Sequence, residues 1–254
     1  MLRSVRRRLP LEDVVYLADQ IHVPYGDRED DDLVGLLAEN VAFLELAGAE
    51  AIVMGCNTSC AVAARRGWPP AHIPIFDLIE AAGRQVVASG ARRVGVLATA
   101  ATARAGAYGR VLRALVPSID VQEVAAPKLV PLVESGLLSG PLARAAIDEA
   151  IAPFELPLDA LVLACTHYPL LDAEFAAALG PGVARIDPAE AQADAALRFA
   201  RERGAQRGSG RTRFLTTGAV EPYRIAIETI LGPLDPLDEV ASAATVVAKA
   251  HQRR

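Results

Sequence analysis

The stretch Leu161-Val162-Leu163-Ala164-Cys165-Thr166-His167-Tyr168-Pro169 decides the architecture of this chain. Its apolar run, bounded by polar residues, reads as a strand buried on both faces, the mark of a parallel sheet. A second stretch has the same frame: Ala51-Ile52-Val53-Met54-Gly55-Cys56-Asn57-Thr58, apolar run, then cysteine, then hydrogen-bonding residues. In open α/β sheets, ligands bind at the carboxyl ends of the strands. Both thiols are therefore expected at the edge where such folds do chemistry. A mirrored pair of thiols suits two acid/base groups acting on opposite faces of one carbon.

Working outward, strands and helices alternate throughout, which is the doubly wound pattern. Helices are predicted over 2–9, 31–46, from 57 or 58 onward, 78–89, 99–115, 129–134, 141–151, after Pro169, 189–203 and 223–231. Strands are predicted over 14–17, 73–76, 93–98, 119–124, 183–186 and 214–217, besides the two that end in cysteine. The Gly-, Ser- and Arg-rich segment Gln206–Arg211 reads as a mobile loop. The expected fold is α/β, with two similar flavodoxin-like doubly wound domains and the active site in the cleft between them. The expected boundaries are 1–77 plus 188–254 for the first, discontinuous domain and 78–187 for the second.

The bulk numbers narrow the function class. A chain of 254 residues with 52% hydrophobic and 22% charged residues is globular rather than disordered. Its net charge of -5 argues against nucleic acid as a partner. The basic cluster Arg3, Arg6, Arg7 and Arg8 reads as the solvated face of a short helix. No apolar segment approaches the roughly 18 residues of a membrane span, and no signal peptide is evident, so a cytoplasmic location is expected. Three cysteines in a chain of this length do not make a disulfide framework.

Each candidate residue has a plain reading beside the chemical one. A lone free cysteine is most often an inert core residue, and Cys60, one helical turn beyond Cys56 and without polar neighbours, fits that reading. Cys56 and Cys165 differ, because each stands at a predicted helix start. Exposed amides and the helix dipole there lower a thiol pKa and bind carboxylates. His167 shares the Cys165 edge as an acid/base helper or a substrate contact. Glu134 is ambiguous by itself, since most glutamates are solvated. Asp19 follows a strand, where a turn role and a site role are equally open. The two cysteines lack CxxC spacing and the histidines are scattered, so no metal is expected.

Taken together, Val23-Pro24-Tyr25-Gly26, Cys56-Asn57-Thr58, Gly95-Val96-Leu97-Ala98-Thr99, Val130-Pro131-Leu132-Val133-Glu134, Cys165-Thr166-His167-Tyr168-Pro169 and Phe214-Leu215-Thr216-Thr217-Gly218 resemble the glutamate racemases of the aspartate/glutamate racemase superfamily. The likeness runs through the whole chain in order. It implies a cofactor-independent interconversion of L- and D-glutamate that supplies D-glutamate for peptidoglycan, in an enzyme that is often a homodimer. By the same resemblance Cys56 and Cys165 are the two bases, His167 assists Cys165, and Glu134 lies nearby. Tyr25, Gly26, Asn57, Thr58, Thr166 and His167 would bind the polar groups of the substrate.

The chain departs from that family at one place. The family begins with a strand and an Asp-Ser-Gly loop just before the helix that matches Leu2–Leu9, and this sequence has neither. The usual helper of the first cysteine is thus missing, with Asp19 as a speculative stand-in. The first sheet is expected to carry a gap or two unpaired edges. Two explanations stand: a misassigned start, which is the favoured one, or a shortened, inactive paralogue. Racemisation of aspartate or another small amino acid, a non-catalytic glutamate binder and a thiol redox protein are the competing functions.

Overall fold

The computed structural model of the chain describes residues 1–155, 157–204 and 208–246. Part of the predicted loop 206–211 lies outside the described residues. Its far end is tied down, with the backbone N–H groups of Ser209 and Arg211 donating to the Asp13 carboxylate at 2.9 and 3.2 Å.

Helix α1 (Leu2–Arg8) leads to strand β1 (Val14–Ala18), α2 (Asp30–Leu46), β2 (Ile52–Val53), α3 (Asn57–Arg66), β3 (Ile75–Phe76) and α4 (Leu78–Ser89). Next come β4 (Arg93–Ala98), α5 (Ala100–Ala105), α6 (Ala107–Leu115), β5 (Asp120–Ala125), α7 (Leu129–Glu134), α8 (Pro141–Ile151) and β6 (Ala160–Ala164). They are followed by α9 (Asp172–Leu179), β7 (Ala184–Ile186), α10 (Pro188–Glu202), β8 (Thr212–Thr216), α11 (Val220–Leu231) and β9 (Glu239–Ser242). Short 3-10 turns at Gln20–His22, Tyr25–Asp27 and Tyr168–Leu171 shape the loops that carry the candidate residues.

All strand pairs are parallel, and the strands fall into three sheets, ordered β5-β4-β6-β7, β1-β8-β9 and β2-β3. The first is drawn wholly from residues 93–186. Its inner strands are buried along nearly their whole length, and β6 is buried at every position. That is why Leu161-Val162-Leu163 shows no alternation: helices cover both faces. Gly95 on β4 is required by close packing. A Cβ there would lie 2.8 Å from Leu158 and 3.0 Å from Leu161 side-chain atoms.

The other half is divided. Among the described residues, β1 pairs only with β8, and β2 only with β3, so no ladder joins β1 to β2. Helix α1 spans the interruption instead. Leu2 packs with Ala18, Phe214 and Tyr223, while Met1, Val5 and Leu9 pack with Val53, Ala193 and Ala196. Gln192, fully buried on α10, donates its amide to the carbonyls of Phe76 and Met54 and so closes the carboxyl end of the β2-β3 ribbon.

Several sequence expectations are corrected here. The helix expected over 99–115 is two helices, because Gly106 takes a left-handed conformation (φ 59°) that ends α5 and reopens the chain as α6. The strand before Cys56 is only Ile52–Val53, since β3 provides just two pairing residues. The helix after Pro169 begins as a 3-10 turn before α9. Strand β9 was not expected; four residues with no long apolar run give little signal. The basic cluster is not a free solvated face. Arg7 and Arg8 pair with Glu190, Arg8 also with Asp194, and Arg6 donates to the Thr212 hydroxyl, so α1 is clamped onto α10 and β8. Cys60 is fully buried in the core, as expected.

Candidate active site

Cys165 leaves the carboxyl end of β6 and enters the turn Tyr168–Leu171. Tyr168 fixes that turn: it is fully buried, and its hydroxyl lies 3.1 Å from the Ala98 carbonyl and 3.0 Å from that of Ala126. A phenol anchored on the ends of two neighbouring strands holds the preceding thiol in a set place. His167 Nδ1 sits 3.7 Å from Cys165 Sγ, and its Nε2 sits 2.5 Å from Glu134 Oε1. A carboxylate can only accept, so the Nε2 proton points to Glu134 and Nδ1 is left as an acceptor facing the thiol. Glu134 ends α7, which packs against the same turn. The structure thus joins Cys165, His167 and Glu134 into one hydrogen-bonded row.

Cys165 itself is 7% exposed. Burial pushes its pKa up to about 12, against hydrogen bonds from the His167 and Tyr168 backbone, while charge on Cys56 or Glu134 raises it further. At neutral pH it is a thiol. Thr166, the next residue along the chain, is exposed.

Cys56 is the N-cap of α3 and is half-buried. Asn57 and Thr58 open the helix and are 4% and 5% exposed. The Thr58 hydroxyl lies 3.2 Å from that of Thr99 and 3.3 Å from that of Thr102, so the first turn of α3 meets the first turn of α5. Asn57 is met by Tyr108 of α6, whose hydroxyl donates to Asn57 Oδ1. The Tyr25–Gly26 turn packs on the same place. A Cβ added at Gly26 would approach the Thr99 side chain to 3.2 Å, which leaves room there only for glycine without adjustment.

Asp19 holds the Tyr25 turn. Its carboxylate accepts from the Tyr25 hydroxyl, from His22 Nδ1 at 2.8 Å and from the Thr217 hydroxyl at 2.9 Å. Burial pushes Asp19 up, but these hydrogen bonds outweigh it and hold the carboxyl below its ordinary range. Burial and then Asp19 itself push the Tyr25 phenol up, so the phenol keeps its proton. Asn40 donates to the same phenol at 3.1 Å. Among the described residues Asp19 makes no hydrogen bond to Cys56; the contacts it does make anchor Tyr25.

Sequence reasoning missed Thr102 and Tyr108 and quoted Thr99 only within a motif. Thr99 and Thr102 read in the sequence as helix openers, and Tyr108, which is fully buried, carried no signal of its own. Among the described residues no group of three or more His, Cys, Asp or Glu side chains is arranged to hold a metal. No helix among them is long and apolar enough to cross a membrane.

With this geometry in place, likeness to known proteins is decisive. The sequence profile of the Asp/Glu/Hydantoin racemase family matches residues 1–196. The chain belongs to that family. It is accordingly an amino-acid racemase, an isomerase. Among curated members it is 38% identical over 252 residues to the glutamate racemase of Desulforudis audaxviator, covering 94% of this chain and 92% of that one. Among solved structures it is similar to glutamate racemase isoform RacE1 from Bacillus anthracis, with TM-score 0.86, 29% identity and coverage of 94% and 92%. It also matches the glutamate racemase of Francisella tularensis in complex with D-glutamate, with TM-score 0.84, 26% identity and coverage of 96% and 93%. The family's two-domain α/β fold is the fold of this chain.

Proposed function

We propose that this racemase interconverts L- and D-glutamate without a cofactor, by proton transfer between Cys56 and Cys165. The observation that carries the reading is the placement of two thiols, each shortly beyond a parallel strand of a different sheet, with the start of α3 after Cys56 meeting Thr99 at the end of β4, the strand that pairs with the one leading to Cys165. Glutamate as substrate is supported by the relatives, among them a racemase solved with D-glutamate. The domains follow the sheets: 1–77 with 188–254, and 78–187.

The chemistry follows from the groups present. One cysteine, as thiolate, takes the α-proton from one face of the substrate. The other, as thiol, gives a proton to the opposite face, and the C–H bond re-forms with inverted configuration. Cys165 is protonated in the resting site and so starts as the donor. For the reverse direction it must lose its proton, and His167 Nδ1, backed by Glu134, is placed to take it. The developing negative charge needs fixed donors. Asn57, Thr58 and the free N–H groups at the start of α3 provide them on one side; Tyr25 and Gly26, Thr166 and His167 complete the carboxylate contacts. The product D-glutamate would supply peptidoglycan synthesis in the cytoplasm.

The test is α-proton exchange. Incubation of the 254-residue chain with L- or D-glutamate in D2O is expected to remove the α-proton NMR signal and to build the other enantiomer. Exchange with aspartate but not glutamate would change the substrate. Binding of glutamate without exchange would make the chain an impaired paralogue.

A further inference from the structure

A carboxylate-binding asparagine must show the ligand its NH2 and not its carbonyl, and here a residue from the other sheet system decides which way the amide faces. Tyr108 lies on α6 and is 0% exposed. Its hydroxyl has one proton, and the partner it finds is Asn57 Oδ1. Were the amide turned over, Asn57 Nδ2 would donate to the phenol oxygen. The phenol proton would then be stranded in a closed interior, which costs far more than a surface hydrogen bond returns. The hydroxyl therefore locks Oδ1 inward.

The opposite end of the amide is left free. Among the described residues Asn57 Nδ2 makes no hydrogen bond, while Oδ1 is taken by Tyr108. Asn57 as a whole is 4% exposed, so this donor is left for a group that enters the site rather than for bulk water. It stands one residue from Cys56, at the first position of α3, where the helix's own unpaired N–H groups also favour an anion.

We propose that Tyr108 is a positioning residue: by accepting no alternative to its bond with Asn57 Oδ1, it fixes the Asn57 amide as a donor to the substrate carboxylate at the Cys56 corner. This rests on the racemase reading above and extends it to a residue that never touches substrate. It also makes the carboxylate site depend on both sheet systems, since α3 follows β2 and α6 follows β4.

The test uses Tyr108→Phe, which keeps the ring in the core, and Asn57→Asp, which keeps an acceptor for Tyr108 but replaces the outward donor by an oxygen. Tyr108→Phe is expected to raise KM for glutamate about tenfold or more while kcat stays within about threefold, the mark of lost ground-state binding. Asn57→Asp is expected to weaken glutamate binding at least as much. In the wild type, glutamate should shift the Asn57 side-chain amide resonance in 15N-labelled protein, and in Tyr108→Phe that shift should shrink or vanish. Circular dichroism and thermal melting check that both variants are folded.

An unchanged KM in folded Tyr108→Phe overturns the proposal, and so does a fall in kcat that tracks a fall in folded fraction. If the wild type exchanges no glutamate α-proton, the functional reading has failed by itself. The amide shift is then followed with L- and D-aspartate and glutamate. A Tyr108-dependent shift keeps the positioning role, and its absence with every ligand removes it.

Discussion

The two cysteine corners are built to different standards. Cys165 ends the buried inner strand of a continuous four-stranded sheet, and its turn is pinned by Tyr168 to two strand ends. A histidine and a carboxylate stand in line behind the thiol. Cys56 comes three residues after a strand of two residues, in a ribbon that among the described residues is not hydrogen-bonded to β1. No histidine or carboxylate is hydrogen-bonded to it among the described residues. Its surroundings are hydroxyls and amides contributed by α3, α5 and α6. The lesson is that two groups with matching roles need not have matching supports. One corner has titratable groups in line behind its thiol; around the other the named partners are hydroxyls and amides.

The largest expected effect tests whether both corners are needed. Cys56→Ser and Cys165→Ser should each lower α-proton exchange by about 10²–10⁴-fold, the usual weight of a direct proton-transfer group. Near wild-type exchange in either variant would break the pairing. Next in size is the contrast in stability between the sheets. Leu161→Ala, in the fully buried β6, should cost about 2–5 kcal/mol in urea unfolding. Leu17→Ala, on the half-buried edge strand β1, should cost below about 2 kcal/mol. Equal costs would mean that the divided half is as tightly built as the other.

Thiol alkylation followed by mass spectrometry gives a third comparison. Half-buried Cys56 should react at least about tenfold faster than Cys165, which is buried and held as a thiol. Cys60, at 0% exposure, should not react until the chain unfolds. Faster reaction at Cys165 would contradict its closed setting. Glu134→Gln should be milder, lowering exchange about tenfold, below the effect of a direct proton-transfer group, because it weakens the hold on His167 and leaves the thiol. An effect equal to that of Cys165→Ser would promote Glu134 to a direct role.

The smallest effect is one of pH. Asp159 accepts from the backbone N–H groups of Arg92 and Arg93 and pairs with the Arg93 guanidinium, which pulls its pKa from 3.8 to about 2. A carboxylate held low when folded adds stability that is fully present above pH 3.8 and is lost as pH falls toward 2. Melting curves of the wild type and Asp159→Asn should therefore converge over that window. A constant gap would remove this linkage.

Much of this was legible beforehand. A strand buried on both faces has to be continuously apolar, so β6 and the cysteine after it stood out in the sequence, and the alternation of strands and helices pointed to parallel sheets. Acid/base chemistry needs particular side chains, so Cys56, Cys165 and His167 were visible as candidates from residue type and position. Glu134 was visible only through the family resemblance, because by itself a glutamate at the end of a short helix looks the same whether it meets solvent or a histidine. Asp19 stayed open between a turn role and a site role for the same reason: its partners Tyr25, His22 and Thr217 come from two loops, one of them some two hundred positions away in the chain.

The class of fold and the two candidate thiols could be read from the chain alone, because both rest on local patterns: periodicity, residue type and the neighbours along the chain. It took the three-dimensional packing to show that His167 and Glu134 line up behind Cys165, that among the described residues the strands of the first half form separate sheets bridged by α1, and that a tyrosine buried in the opposite half donates to the Asn57 carbonyl. Those are contacts between segments far apart in sequence, and hydrogen-bond direction is set by the atoms that meet, not by the order in which they are synthesised.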